Sequence, residues 1–276
     1  MPPPPAARSF NWSNNNVRQV LDFTDDDRIR FADQPGEARF SFSMQIPEAL
    51  VQQAITEFGV AEPDLSFSYA AGAMEQAMAA HARRLATRGL RLAQGVVQPD
   101  YEWIVHRSRT HLAPVAQKLV RMAAEQGLHS QRDLAGVFAS FCQSAIAYSL
   151  VPNSRSLGGS GAWFTGGITM PIEALATGRG DCDTKCALFA SLASHVPSLE
   201  VLLLGVPEHM FAAVAVEPKS RDALILHGGR QFVAVELTSS FPLGLIPRNS
   251  RSTVSAGASA VLYDSARRLG SGTARP

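Results

Sequence analysis

The sequence predicts an α+β fold, and three observations carry that expectation. Before residue 150, long stretches are rich in Ala, Leu, Met and Arg, residues that favour helix. From Cys186 to Ala193, apolar residues fall on nearly every side of a helical projection, which marks a helix buried all round rather than on one face. After residue 199 the apolar period changes to two, in runs split by short turn signals, so a meander of antiparallel strands follows the buried helix. A helix-rich region followed by a strand meander is the α+β class.

Taken in order, residues 1–10, opening MPPPPAARSF, carry too little apolar surface to fold and are expected as a disordered tail. Between Asn11 and Ile46 the runs VRQVLDF and ARFSFSMQI, split by TDDD and DQPGE, predict a pair of strands. Residues 70–93 read as helix despite an internal Gly, and further helices are expected over 111–126 and 131–148, the latter capped by Ser130. The segment LVPNSRSLGGSGAWFTGG reads as a loop by its Gly, Ser, Asn and Pro content, and Pro171 to Leu175 as one helical turn. Asp181 is placed to cap the buried helix, which must end before Pro197. EVLLLGV, HMFAAVAVE, DALILH and QFVAVELT are the strand-like runs, and residues 251–276, ending GSGTARP, are expected as a C-terminal tail. The expected organisation is therefore a tail over 1–10, a strand pair with helices over 11–110, a core over 111–250 and a tail over 251–276.

With 25 basic and 24 acidic side chains the formal charge is +1, so no global field points to nucleic acid or a membrane surface. No stretch approaches the ~18 apolar residues of a membrane span, and the N-terminus lacks the basic segment and apolar run of a signal peptide. Cysteines at 142, 182 and 186 form no disulfide framework, which fits a reducing, cytoplasmic compartment.

The chemistry concentrates at GRGDCDTKC, where Cys182 opens the buried helix between two aspartates. The unpaired N–H groups and macrodipole of a helix N-terminus favour thiolate, but by roughly 0.3–2 kcal/mol, against about 1.4 kcal/mol per pKa unit. Asp181 and Asp183 oppose even that, so an activated thiol needs a cationic partner, for which histidine is the usual choice. His195 lies thirteen residues along the same helix, about 20 Å away at ~1.5 Å per residue. His227 sits in the hairpin turn HGGR. His209 opens the second strand and is the best base, and Glu236, at the end of an apolar strand expected beside it, is the best acceptor for its other nitrogen. A zinc site of Cys182, Cys186 and His209 is the weaker alternative, because structural zinc prefers closer cysteine pairs and four protein ligands. Cys186, one turn deeper on the helix, reads as core, and His81, His106, His111 and His129 as surface residues on helices.

The motifs GDCDTKCALFASL, PEHM and VELTSSFPLGLIP, preceded by FCQSAIAY and MPIEAL, together resemble the transglutaminase-like branch of the papain-like cysteine enzymes. They look most similar to bacterial and archaeal proteins reading FVQ, YPLETL, GGDCED, PGHM and ETT. The resemblance covers residues 136–248. It implies a papain-like fold, a helical part packed on an antiparallel sheet with the catalytic cysteine at the N-terminus of a buried helix. It further implies Cys182 as nucleophile, His209 as base, Glu236 as the third member and Gln143 as an oxyanion donor beside the Cys182 backbone N–H, with Trp163 the alternative donor. The implied activity is that of a thiol-dependent hydrolase or acyltransferase on a protein or peptide substrate, without metal or cofactor. A domain that keeps the fold as a binding or scaffold module without catalysis is the alternative.

Overall fold

A computed structural model describes residues 6–14, 40–157, 161–247, 250–251, 254 and 259–267. The chain opens with strands β1 (Ala7–Asn14) and β2 (Phe40–Pro47), then helix α1 (Glu48–Glu57), strand β3 (Val60–Ala61) and helix α2 (Met74–Ala86). A hairpin of β4 (Leu90–Ala93) and β5 (Val96–Pro99) leads into the long helix α3 (Tyr101–Glu125), followed by α4 (Gln131–Ala145). Short strands β6 (Ala147–Tyr148), β7 (Ser154–Ser156) and β8 (Ala162–Phe164) precede α5 (Pro171–Thr177), β9 (Arg179–Gly180) and α6 (Cys182–Ala193). The remainder is β10 (Val201–Val206), β11 (His209–Val214), β12 (Leu224–His227), β13 (Arg230–Val235) and β14 (Ala260–Asp264). Six helices and antiparallel main sheets, among the described residues, make this an α+β protein.

Helix α6 is the centre. Every residue from Thr184 to Ala193 is buried, with α3, α4 and α5 on one side and β10 and β11 on the other. The strands form one five-stranded antiparallel sheet in the order β12-β13-β11-β10-β14. Alternation divides its residues between two cores. Leu203, Met210, Ala212, Val214, Val233 and Val235 join the main core around α6, whereas Leu202, Leu204, Phe211, Ala213, Phe232 and Ala234 form a second core on the opposite face. The β1–β2 pair closes the helical side: Phe10, Trp12 and Phe42 gather around Phe141 of α4, and the Trp12 indole N–H donates to Ser144 Oγ at 2.9 Å.

Several expectations are corrected. The helix expected over 70–93 spans only 74–86, because Gly89 takes a left-handed φ of 71° and any side chain there would run into the Trp103 ring. Helix α3 starts ten residues before 111, since Asp100 caps it by accepting from the Trp103 N–H at 3.1 Å. The expected loop before α5 contains β7 and β8, and Ala7–Phe10 belongs to β1, with Phe10 buried, rather than to a tail. Residues 260–264, expected in the C-terminal tail, form β14 and pair with β10, so the core is bounded neither at 111 nor at 250. His81 is buried rather than on the surface, with Nδ1 3.2 Å from the Arg84 guanidinium. The run VRQVLDF lies outside the described residues.

Because α6 has no solvent face, truncating it leaves a cavity that neighbours on all sides must relax to fill. Phe189→Ala, at a fully buried position, is expected to cost about 3–5 kcal/mol. Urea denaturation with an unchanged m-value would measure the loss, and a cost below about 1 kcal/mol would contradict the central placement of the helix.

Candidate functional site

Two glycines and an aspartate deliver Cys182 to the helix N-terminus. Gly178 closes α5 with a left-handed φ of 67°, and a Cβ on Gly180 would lie 2.6 Å from Thr184 Cγ2, so the chain needs the first glycine for its turn and the second for close approach. Between them β9 pairs in parallel with β6, fixing the entry direction. Asp181 then caps α6: Oδ1 accepts from the Thr184 N–H at 3.0 Å, and Oδ2 from the Val151 N–H at 3.3 Å. Its negative charge is thereby spent on backbone donors.

His209 and Glu236 meet because of strand register. Strand β11 pairs with β13 through Ala212↔Val235. Continuing that register one step sets Glu236 opposite Phe211, on the face His209 also shares, two residues back, so the two side chains are diagonal neighbours. Nε2 of His209 lies 2.8 Å from Glu236 Oε2. The tight turn Pro207-Glu208, with Glu208 at φ 59°, sets His209 at the hairpin tip. Glu236 is buried, and its Oε1 accepts from the Leu237 N–H (2.9 Å), the Thr238 N–H (2.8 Å) and the Thr238 hydroxyl (2.6 Å). Burial opposes its ionisation, but the bonds from His209 and Thr238 outweigh that and hold the carboxyl below its ordinary value. The Glu236 hydrogen bond in turn raises His209 above the usual imidazole value, against desolvation.

Cys182 and His209 line one cavity of about 370 Å³, together with Gln98, Tyr101, Asp183 and Met210. Cys182 Sγ donates to Asp183 Oδ1 at 3.3 Å, while Asp183 Oδ2 accepts from the Tyr101 hydroxyl at 2.7 Å. Burial first, then the Asp183 charge, push the thiol up to about 12, although the Met210 N–H points at the sulfur and works the other way. The sequence expectation of a thiol charged by His209 thus meets a different immediate neighbour: Sγ is hydrogen-bonded to the Asp183 carboxylate, and burial and that charge both favour the protonated thiol.

The two expected oxyanion donors are also placed elsewhere. Both amide hydrogens of Gln143 are committed, to the Glu236 and Phe241 carbonyls at 2.8 Å each, so this side chain braces the segment that carries Glu236. The Trp163 indole N–H donates to the Phe58 carbonyl at 2.8 Å, in the small sheet of β3, β8 and β7, and Trp163 does not line the cavity.

Four residues near the site escaped sequence reasoning. Tyr101 and Gln98 arrive from a hairpin and helix more than eighty residues away, and nothing local marks them. Thr238 follows Glu236 by two, a spacing that suits a hydroxyl-to-carboxylate bond and was a usable signal. Lys185, one turn into α6, is 1% exposed, with Nζ 3.4 Å from the Gln143 carbonyl, and burial lowers it from the ordinary lysine value. Cys186 is buried in the core, and among the described residues no group of three or more His, Cys, Asp or Glu side chains is placed to hold a metal ion.

The His209–Glu236 pair has a defined pH signature. A histidine raised by folding stabilises the fold fully below its unfolded value and ceases to do so as pH rises through the raised one. A carboxyl lowered by folding stabilises above its unfolded value and ceases to do so as pH falls through the lowered one. Glu236→Gln is expected to move the His209 titration midpoint, followed by NMR of the imidazole, downward; an unmoved midpoint would show that the pair does not set it. Comparison of the chain with protein-family models, with curated proteins and with solved structures found no match.

Proposed function

We propose that the chain is a thiol-dependent hydrolase or acyltransferase acting on a peptide or amide carbonyl, built on a papain-like, transglutaminase-like arrangement. The observation that carries this reading is a cysteine at the N-terminus of a buried helix, sharing one cavity with a histidine whose far nitrogen is held by a buried carboxylate. With Nε2 committed to Glu236, Nδ1 is the nitrogen left to serve the thiol. In the reaction Sγ attacks the carbonyl carbon and its proton passes to Nδ1, giving an imidazolium that Glu236 stabilises. The carbonyl oxygen becomes an oxyanion facing the Cys182 backbone N–H, which has no intrahelical partner, the Thr184 N–H being held by the Asp181 cap. Collapse expels the amine, which takes the proton back from His209 and leaves an acyl-cysteine. Water then completes hydrolysis, or a second amine completes transfer.

The specific feature favouring the other reading, a catalytically silent binding or scaffold domain, is the thiol hydrogen-bonded to Asp183 and pushed up to about 12. The test is release and incorporation of amines on a glutamine-containing peptide library. Cys182→Ala is expected to abolish both activities, and His209→Ala to reduce them roughly 10²–10⁴-fold. Activity retained in Cys182→Ala removes the enzymatic assignment, and absence of turnover in the wild type leaves the scaffold reading.

A further inference from the structure

The resting site divides the possible destinations of one proton. Cys182 and His209 line the same cavity, and Sγ makes its side-chain hydrogen bond to Asp183 Oδ1. Asp183 does not hold this place by chance of sequence alone. Its second oxygen is fixed by Tyr101, a buried side chain from the first turn of α3 whose hydroxyl has this carboxylate as its partner. An acidic residue in a helix's first turn is ordinarily explained by the macrodipole. That explanation does not require a tyrosine from another helix to orient the carboxylate, nor one oxygen directed at a thiol.

We propose that Asp183 is a positioning residue for the nucleophile: clamped by Tyr101, it accepts the Cys182 S–H in the resting site and keeps that proton from His209 until rotation about the Cβ–Sγ bond redirects it. This rests on reading Cys182 and His209 as nucleophile and base. The other ionisable groups around the sulfur do not substitute for it. Asp181 is occupied by the Thr184 and Val151 amides, and Lys185 and Cys186 are buried one turn deeper in α6. Glu208 lines the cavity from the β10–β11 turn and Tyr148 of β6 is half exposed and does not line it, while Glu236 is saturated by His209, Leu237 and Thr238. To pass from the resting arrangement to one in which Nδ1 accepts the proton, the thiol gives up its hydrogen bond to Asp183 and turns toward His209, which lines the same cavity.

The test is the pH dependence of iodoacetamide alkylation at Cys182, read by peptide mass spectrometry so that the buried Cys142 and Cys186 are scored separately. Asp183→Asn is expected to lower the alkylation midpoint by at least one pH unit, and so to raise the rate at neutral pH at least about tenfold. The gain is expected to disappear in Asp183→Asn/His209→Ala, because the thiolate then has no imidazolium to stabilise it. An unchanged midpoint in Asp183→Asn overturns the proposal, as does a gain that persists without His209, which would make Asp183 a remote charge rather than a competitor for the proton. A second measurement needs no variant at Asp183: a wild-type minus Cys182→Ser infrared difference spectrum should show an S–H stretch at neutral pH, shifted down by its hydrogen bond. Its absence, meaning thiolate, overturns the proposal too. Faster alkylation in Asp183→Asn without peptide turnover in any variant would uphold this role for Asp183 while removing the enzymatic reading.

Discussion

A helix buried on every side has to find partners for each of its faces, and that requirement orders the rest of this molecule. Helix α6 has no polar stripe to turn toward water, so α3, α4 and α5 must cover one side while β10 and β11 cover the other. Burial at about 25 cal/mol per Å² of apolar surface rewards that enclosure. The same enclosure leaves only the ends of the helix free to meet solvent. At the C-terminal end the chain simply turns into β10; at the N-terminal end the orphan N–H groups, the cap and Cys182 come together at the cavity. The site lies where the packing stops.

The polar groups around that end are arranged with unequal completeness. Glu236 has four hydrogen bonds, three of them from the two residues that follow it, so its charge is stabilised by its own strand terminus. Gln143 of α4 donates twice to the backbone of the same segment, and Lys185 of α6 reaches the Gln143 carbonyl. Helical and sheet halves are thereby tied together directly behind the histidine. A lysine this deeply buried is costly in isolation: burial lowers it from its ordinary value, and nearby groups, Glu236 among them, only partly oppose that.

What the sequence made readable was whatever is written in local pattern. The all-round apolar stretch announced α6, the period-two runs announced β10 to β13, and Asp181 and Ser130 announced two caps, each by side-chain chemistry confined to a few residues. The proximity of His209 and Glu236 followed from strand adjacency, which sequence order suggests. Features that depend on distant packing were not readable. Tyr101 meets Asp183 across 82 positions of sequence, and β14 finds the edge of β10 after a long connection. Gln143 was misjudged for a related reason: the resemblance implied an oxyanion donor, yet both its amide hydrogens go to the Glu236 and Phe241 carbonyls, partners that only the packing of distant segments reveals.

Asp183 and Glu236 pull the same proton in opposite directions, and distance decides how. Moving a proton from Cys182 to His209 creates a negative sulfur and a positive ring. Glu236 touches the ring and favours the transfer; Asp183 is in hydrogen-bond contact with the sulfur and disfavours it. Asp183 also favours a positive ring, but that is the smallest of the influences on His209, whereas its charge is the largest influence on the sulfur after burial. Burial and Asp183 thus favour the neutral thiol, while Glu236 favours a charged His209 ring. Under the function proposed above, charge separation awaits a carbonyl that shares it, so the acidic neighbours that argue against a standing thiolate are compatible with a nucleophile activated at the moment of attack.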